Sequence, residues 1–488
     1  MADTKKKLFK VDFLPNGLTG TVPSGSTIME AAHDTGVYLN SVCGGEGLCG
    51  KCRVIVREGR VNMKPNSFLD REEIQKGYVI ACLTEVLSDL SVEVPQETRL
   101  EGRPKFDADY ARRFGPLEKG DSFFPHDPLC RKIFLELPEP TLEDNLSDLD
   151  RFERELNKIH KPSVLYTGLR NLQSLASIMR AADFKITATL ADRNSFAEVT
   201  RFEKGDTTGS NYGIAVDVGT TTVVADMIDL NAGKICGTAA SYNPQIRFGE
   251  DVISRIVYTQ ENDDGLRNLN RSIVKEINNL IEILIKECGT PLHDLNYMVC
   301  AGNTTMIHIL LGLQLSSIRR EPYIPVAGRP PVIRASDIGI KIGRGGLLNS
   351  LPGVGAYVGT DITAAVLASG MARDKAVSLL IDVGTNGEIV LGNNDWLICC
   401  SASAGPAFEG AGTQCGMRAT SGAIEKVRIF KDGKINLGII GGKESEILVE
   451  KIKDAPNKIK ARGICGSGYI ELVSELFSAG LIDRTGRF

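Results

Sequence analysis

The spacing of apolar side chains changes character three times along this chain. Near the start, Leu8-Phe9-Lys10-Val11-Asp12-Phe13 alternates as a half-buried strand does, and Pro15-Asn16-Gly17 supplies a turn. Thr27–His33 carries a helical period and stops at Gly36. Further strands are predicted at Cys52–Val56, Tyr78–Leu83 and Leu90–Val94. From Pro95 to about His126 the period dissolves into a charged stretch rich in Pro, Gly and Arg (Arg99, Arg103, Arg112, Arg113), which reads as a linker. Beyond it, Leu142–Ile159 places acidic residues on a helical period, Leu169–Ala182 is a second helix and Lys185–Leu190 a strand. From Asn211 onward, apolar strands broken by glycine turns alternate with helices, among them the amphipathic Ile273–Cys288. The expected architecture is multidomain: α+β over residues 1–95, a linker at 96–125, a small mixed domain at 126–206 and an α/β domain at 207–488.

Composition narrows the partners. The 488 residues suit about three domains. With 42% hydrophobic and 24% charged residues and a net charge of −4, no basic excess exists to neutralise phosphates, so nucleic acid is not expected as the main partner. Met1–Lys10 is polar and lysine-rich without an apolar signal core, and no apolar run is long enough for a bilayer, so no membrane partner is expected. Twelve cysteines without an export signal suit a reducing, cytoplasmic setting in which thiols act as ligands or core residues.

Four of those cysteines carry chemistry. Cys43, Cys49 and Cys52 share one glycine-rich loop, Cys43-Gly-Gly-Glu-Gly-Leu-Cys49-Gly-Lys-Cys52, and Cys82 follows in Ile80-Ala81-Cys82-Leu83. Three thiolates on one loop plus a distant fourth is the plant-type arrangement for a [2Fe–2S] cluster. Gly44, Gly45, Gly47 and Gly50 let the backbone wrap such a cluster and direct N–H groups at sulfur. A structural zinc site is the rival reading; it usually pairs two short Cys-x2-Cys knuckles, and the second is absent. Two hairpins around one helix with this loop suit a β-grasp ferredoxin.

A second signature is a repeat. Gly213-Ile-Ala-Val-Asp217-Val-Gly219-Thr220-Thr221-Thr222 is a strand, a tight turn and the start of a second strand. A near copy runs Leu379-Leu-Ile-Asp382-Val-Gly384-Thr385-Asn386-Gly387-Glu388. One Asp-x-Gly-Thr is weak evidence, because such turns are common hairpin punctuation. Two of them, each after an apolar strand, fit a pair of phosphate loops: glycine permits close approach, while Thr hydroxyls and N–H groups donate to phosphate oxygens. Asp217 and Asp382 are placed to hold Mg²⁺ or to orient a water.

Here the sequence resembles the superfamily of acetate and sugar kinases, heat-shock chaperones and actin. That resemblance implies two ribonuclease-H-like subdomains with ATP between them, and a glycine-rich adenosine loop. Gly463-Ile-Cys465-Gly466-Ser467-Gly468-Tyr469, opening a helix Ile470–Phe477, is similar to that loop; read alone, a helix cap by Ser467 explains it equally well.

Other clusters are less telling. Leu351–Asp361 precedes a helix Asp361–Met371 with Asp361 as a candidate cap, and its glycine spacing is not a dinucleotide fingerprint. Ala301-Gly302-Asn303-Thr304-Thr305 could face a cleft or be a plain strand-to-helix turn. Glu250 and Asp251 could assist a nucleotide or simply start a helix. The other eight cysteines, Cys130, Cys236, Cys288, Cys300, Cys399, Cys400, Cys415 and Cys465, are expected as small buried residues. None of the five histidines has a partner at ligand spacing.

As a whole the chain resembles the reductive activators of corrinoid-dependent proteins. The matching segments are the cysteine loop, the Pro/Arg-rich linker, Asn243-Pro244-Gln245, Gly249-Glu250-Asp251-Val-Ile-Ser254-Arg255, Ala301–Thr305, Ala404-Gly-Pro-Ala-Phe408-Glu409-Gly410 and the two phosphate loops. The resemblance implies ATP-dependent reduction of cob(II)alamin-type cobalt to Co(I) on a corrinoid partner, an upstream low-potential electron donor and a homodimer. That family's chains run well beyond the adenosine loop, so a C-terminus at Phe488 is expected to mark a fragment or an ATPase without its last layer. Two other classes remain open. One is a plain [2Fe–2S] electron-transfer module, since the cysteine loop also resembles sodium-pumping NADH:quinone reductases. The other is a non-catalytic, nucleotide-dependent switch for a redox enzyme.

Overall fold

The alternation at Leu8–Phe13 folds as its period dictates: Phe9, Val11 and Phe13 are buried while their neighbours face outward. The structure, a computed structural model, describes residues 7–15, 17–37, 39, 45, 47, 50–66, 68–95, 98–99, 125–249, 251–384, 386–402, 415–417, 419, 422–430, 434–440, 445–448 and 461–487. Two compact units divide the chain: Met1–Lys105 with Ile381–Ile389 and Ser401–Phe488, and Phe106–Leu380 with Val390–Cys400. Most of the expected linker, and the segment Ala404–Gly410, lie outside the described residues.

The first unit opens with β1 (Leu8–Leu14), β2 (Leu18–Pro23), α1 (Ile28–Asp34), β3 (Arg53–Glu58), β4 (Val61–Met63), α2 (Arg71–Gln75), β5 (Tyr78–Ile80), β6 (Thr84–Val86) and β7 (Leu90–Glu93). The main sheet runs β2-β1-β7-β3-β5, antiparallel except for the β1–β7 pair, and β4 pairs with β6. Thr27 caps α1: its hydroxyl accepts from Glu30 N at 3.1 Å, and Glu30 accepts from Thr27 N at 2.7 Å. The helix buries Ile28, Met29, Ala31 and Ala32 in the sheet's core, each large apolar side chain contributing about 1.5–3 kcal/mol over exposure. The strand expected at Tyr78–Leu83 is broken. Ala81–Leu83 forms a 3₁₀ turn, because the Thr84 hydroxyl donates back to the Ile80 carbonyl at 2.8 Å.

The second unit begins with β8 (Cys130–Glu136), α3 (Asp148–Ile159), β9 (Leu165–Thr167), α4 (Leu169–Ala181), β10 (Lys185–Asp192) and β11 (Ala197–Lys204), in a sheet ordered β8-β10-β11-β9. The first helix starts at Asp148 rather than Leu142. Ser147 caps it, and Asp144, which shares the helical spacing, instead receives Arg151 at 2.6 Å and Arg154 at 2.9 Å. Next come β12 (Tyr212–Val218), β13 (Thr222–Asp229), β14 (Lys234–Tyr242), α5 (Val252–Glu261), α6 (Gly265–Cys288), β15 (Leu295–Gly302), α7 (Thr304–Leu311), α8 (Ser316–Arg319), β16 (Ile333–Arg334), β17 (Leu347–Ser350) and α9 (Thr360–Ser369). Their sheet is ordered β14-β13-β12-β15-β17-β16, with β12–β15 and β15–β17 parallel. Ile214, Val216 and Val218 of β12 and Val223, Ala225 and Met227 of β13 share one core with the apolar stripe Leu269, Ile273, Ile277, Leu280, Ile281 and Leu284 of α6. Gly359, not Asp361, stands at the N-cap of α9, and that helix ends at Ser369.

A three-stranded sheet follows, β18 (Ser378–Val383), β19 (Gly387–Gly392) and β20 (Leu397–Ala402), in that order. The first unit closes with β21 (Ala423–Ile429), β22 (Lys434–Ile439), β23 (Ser445–Leu448), β24 (Gly463–Ile464) and α10 (Gly466–Ser478), the strands ordered β23-β22-β21-β24. Glu471 and Glu475 of α10 accept the Val427 and Ile429 N–H groups at 2.9 and 2.8 Å.

The eight remaining cysteines do not behave as one class. Cys130, Cys300 and Cys465 are buried, Cys288 and Cys399 half-buried, and Cys236, Cys400 and Cys415 exposed. The expectation of burial fails at the last three; Cys236 lies in the outward-facing start of β14 and Cys400 on an exposed position of β20. Among the described residues no helix is long and apolar enough to cross a membrane.

Candidate functional site

Two of the four candidate cluster ligands are described, and they meet. The Sγ atoms of Cys52 and Cys82 are 3.4 Å apart, both buried. Two thiolates on one tetrahedral metal with bonds of about 2.3 Å lie about 3.8 Å apart, so this pair can serve a single iron. The 3₁₀ turn aims Cys82 inward, and Ala81 N donates to the Cys52 carbonyl at 2.9 Å, which locks the two segments together. Cys43 and Cys49, like Gly44, lie outside the described residues.

Beside them, Gly50 has φ +63°, and a Cβ there would stand 2.5 Å from the Phe68 ring. Arg53 holds that corner: it donates to Gly50 O at 3.2 Å and Phe68 O at 2.7 Å, and pairs with Glu73 of α2 at 2.5 Å. Soft thiolates on a tight loop fit a [2Fe–2S] cluster, and Cys52 and Cys82 are the residues here that would hold it. Arg53 carries no motif signal beyond following Cys52 directly.

The first phosphate-loop candidate is built at the turn between β12 and β13. Asp217 is exposed near the end of β12, in register with Val224 of β13 and Ala301 of β15. Gly219, Thr220, Thr221 and Thr222 are half-buried, and a Cβ on Gly219 would stand 2.4 Å from the Thr222 carbonyl. Three successive carbonyls of this turn are tied down. Asn243 Nδ2 donates to Gly219 O at 2.8 Å, Arg255 to Thr220 O at 2.6 Å and Asn243 N to Thr221 O at 2.8 Å. Asn243, Gln245 and Arg255 are almost wholly buried. The likeness to a family included these residues without giving them a role, since nothing in local spacing distinguishes a buried arginine from a surface one.

Neighbouring candidates resolve as structural elements. Asp251 is the N-cap of α5 in a capping box with Ser254, and Glu250 lies outside the described residues. Asn303 caps α7, its side chain accepting from Thr305 N at 3.0 Å.

In the second repeat, Asp382 lies half-buried next to the end of β18, and burial raises its pKa from the ordinary carboxylate value. Gly384 N donates to Asn386 O at 3.0 Å across the turn, and Gly387 opens β19. Glu388 is buried and accepts from the Ser401 hydroxyl at 3.2 Å. Thr385 lies outside the described residues.

At the adenosine-loop candidate, Gly466, Ser467 and Gly468 form the first turn of α10 rather than a loop before a helix at Ile470. Ser467 does not cap it: Cys465 is the N-cap, and the Ser467 hydroxyl lies 3.2 Å from the Cys465 sulfur. Gly468 lets the helix close onto β21, since a Cβ would meet Ile424 O at 2.1 Å.

A cysteine-bearing β-grasp sheet and a kinase-like hairpin on one chain define a ferredoxin domain joined to an ASKHA-type domain. Four family models match accordingly: "2Fe-2S iron-sulfur cluster binding domain" over residues 13–87, "RACo linker region" over 121–209, "RACo middle region" over 212–374 and "C-terminal domain of RACo the ASKHA domain" over 376–488. The corrinoid activation enzyme RamQ of Eubacterium limosum is 30% identical over 468 residues, 96% of this chain and 70% of the relative. The solved structure of a reductive activator for corrinoid, iron-sulfur protein superposes with a TM-score of 0.66 at 39% identity, covering 98% of this chain and 74% of that one. A component of the Na(+)-translocating NADH-quinone reductase of Neisseria meningitidis is 35% identical over 79 residues, 16% of this chain and 20% of the relative. The chain belongs to the RACo family, together with RamQ.

Proposed function

We propose that this protein takes one electron from a low-potential donor and delivers it to Co(II) of a corrinoid protein, yielding Co(I), with ATP hydrolysis driving the transfer. The observation that carries this reading is the joining, in one chain, of the Cys52–Cys82 sulfur pair with the strapped Gly219–Thr222 turn, alongside likeness to RamQ over 96% of the chain. When bound, a [2Fe–2S] cluster supplies a one-electron carrier, near about −400 mV in plant-type ferredoxins. Moving an electron uphill costs about 1.4 kcal/mol per ~60 mV, and a nucleotide that binds two conformations unequally can supply it.

In this reading Cys43, Cys49, Cys52 and Cys82 ligate the irons. Gly219–Thr222 and Gly384–Glu388 hold phosphates, Asp217 and Asp382 hold Mg²⁺ or orient the attacking water, and Gly466–Gly468 borders the adenosine. A homodimer working in the cytoplasm belongs to the same proposal. The likeness to the NADH-quinone reductase component spans the ferredoxin part alone and leaves the strapped hairpin without a use, so a plain electron carrier is the weaker reading.

The test is ATP hydrolysis measured with and without an oxidised corrinoid protein, alongside the Co(I) absorbance. Stimulated turnover coupled to Co(I) formation supports the proposal. Cluster reduction and cobalt reduction that ignore nucleotide would overturn it.

A further inference from the structure

The segment between β14 and α5 is a strap beneath the β12–β13 turn. Asn243 opens it, with its side chain bonded to Gly219 O and to Gln245 N, at 2.8 and 3.0 Å. Gln245 anchors the strap to α6 by donating to Leu269 O at 3.0 Å. The Asp251–Ser254 capping box then fixes the first turn of α5, which directs Arg255, one residue on, into the strap.

Arg255 is fully buried. Its guanidinium donates to Gly249 O at 2.8 Å, Gln245 Oε1 at 3.0 Å and Thr220 O at 2.6 Å, and lies 2.9 Å from the Met306 sulfur. An apolar side chain of similar volume would leave the Gly249, Gln245 and Thr220 oxygens without this donor, so the cation holds those groups as well as filling space. The planar fork spreads its donors over three nitrogens to meet three separate oxygens, whereas an ammonium offers all its donors from one nitrogen.

A trans peptide unit sends its N–H to the side opposite its C=O. Fixing the carbonyls of Gly219, Thr220 and Thr221 therefore fixes the directions of the N–H groups of Thr220, Thr221 and Thr222. We propose that Arg255 is the positioning residue of this turn: it sets the direction of N–H donors for a nucleotide's terminal phosphates and places a buried positive charge beneath them. The inference rests on reading Gly219–Thr222 as a phosphate loop. It goes further by assigning phosphate discrimination to a side chain that acts through the backbone carbonyl it holds.

The experiment compares calorimetric affinities for Mg·ATP, Mg·ADP and AMP in wild-type full-length protein, Arg255→Met, Arg255→Lys and Ile277→Val. Ile277→Val trims the same apolar core away from the turn and controls for lost stability. The ATP-to-AMP affinity ratio is expected to fall at least tenfold in both Arg255 variants and to stay at the wild-type value in Ile277→Val. A folded Arg255→Met that keeps the wild-type ratio overturns the inference. Should that variant not fold, Asn243→Ala, which frees the Gly219 carbonyl together with the Gln245 N–H, takes its place, and the same fall in ratio is required of it. Wild-type protein that holds ATP no better than AMP overturns the phosphate-loop reading and this inference together; discrimination kept in both the wild type and the folded variant overturns the inference alone.

Discussion

The sulfur atoms of Cys52 and Cys82 stand 3.4 Å apart, although one follows the glycine-rich loop and the other rides a 3₁₀ turn. In the proposed reading this pair serves the cluster, and the Gly219–Thr222 turn serves the nucleotide. Cys82→Ser or Cys52→Ser should abolish the visible [2Fe–2S] absorption while leaving the affinity for ATP unchanged. Loss of ATP binding in a folded serine variant would show that the two functions are not separable.

Asp217→Ala and Asp382→Ala are expected to do the reverse. The visible spectrum should be retained, and ATP-dependent cobalt reduction should fall by at least about a hundredfold, the scale on which a metal-holding or water-orienting group contributes. Full ATP-dependent reduction in either variant would remove that aspartate from the site.

Arg53 binds the end of the cluster loop to α2 through Gly50, Phe68 and Glu73. Replacing it with Met removes two bonds to carbonyls and one ion pair from a partly exposed site. A loss of about 1–2 kcal/mol is expected for the ferredoxin part. The measurement is the unfolding midpoint together with the rate at which cluster absorbance decays in air, which should rise. An unchanged decay rate would make Arg53 irrelevant to the loop.

Asp294 sits in a buried ion network. It receives Lys132 at 2.8 Å, Arg201 at 3.0 Å and the Ser210 hydroxyl at 2.6 Å. Burial pushes its carboxyl pKa up, but bonds from Lys132, Ser210 and Arg201 outweigh burial, so the net shift is downward. The Lys132 side chain is 0% exposed. Asp294→Ala leaves that ammonium short of one counter-charge and should cost about 3–5 kcal/mol by urea unfolding. A cost below about 1 kcal/mol would mean that Glu203, 3.2 Å from Lys132, suffices alone.

Asp144 gives a pH signature. Hydrogen bonds from Arg154 and Arg151 lower its pKa from 3.8 to about 2. A carboxyl with a depressed folded-state pKa stabilises the fold above its unfolded value, and that contribution is lost as pH falls through the folded value. Thermal unfolding midpoints should therefore drop between pH about 4 and about 2 in the wild type, and less steeply in Asp144→Asn. Parallel acid limbs in the two proteins would refute the assignment.

Much of the local structure could be read from the chain before any contact was known. Alternation at Leu8–Phe13 and the helical period of Thr27–His33 are decided by neighbours within a few positions. Reading failed where a side chain made an unforeseen bond. The Thr84 hydroxyl broke the strand through Cys82, and Arg151 and Arg154 kept Asp144 out of its helix. Cys236, Cys400 and Cys415 were expected inside and lie exposed, because residue type sets only an average tendency to be buried.

Cysteine spacing and the paired Asp-x-Gly-Thr turns pointed to the classes of chemistry proposed, since both depend on chain geometry over a few residues. The partners those motifs meet were decided by the tertiary structure alone. Cys82 reaches Cys52 because a distant strand turns at Ala81–Leu83, and Arg255 reaches the Thr220 carbonyl because a capped helix drives it into the core. Burial of a charge depends on what packs around it, and that surrounding is assembled from residues far apart in the chain.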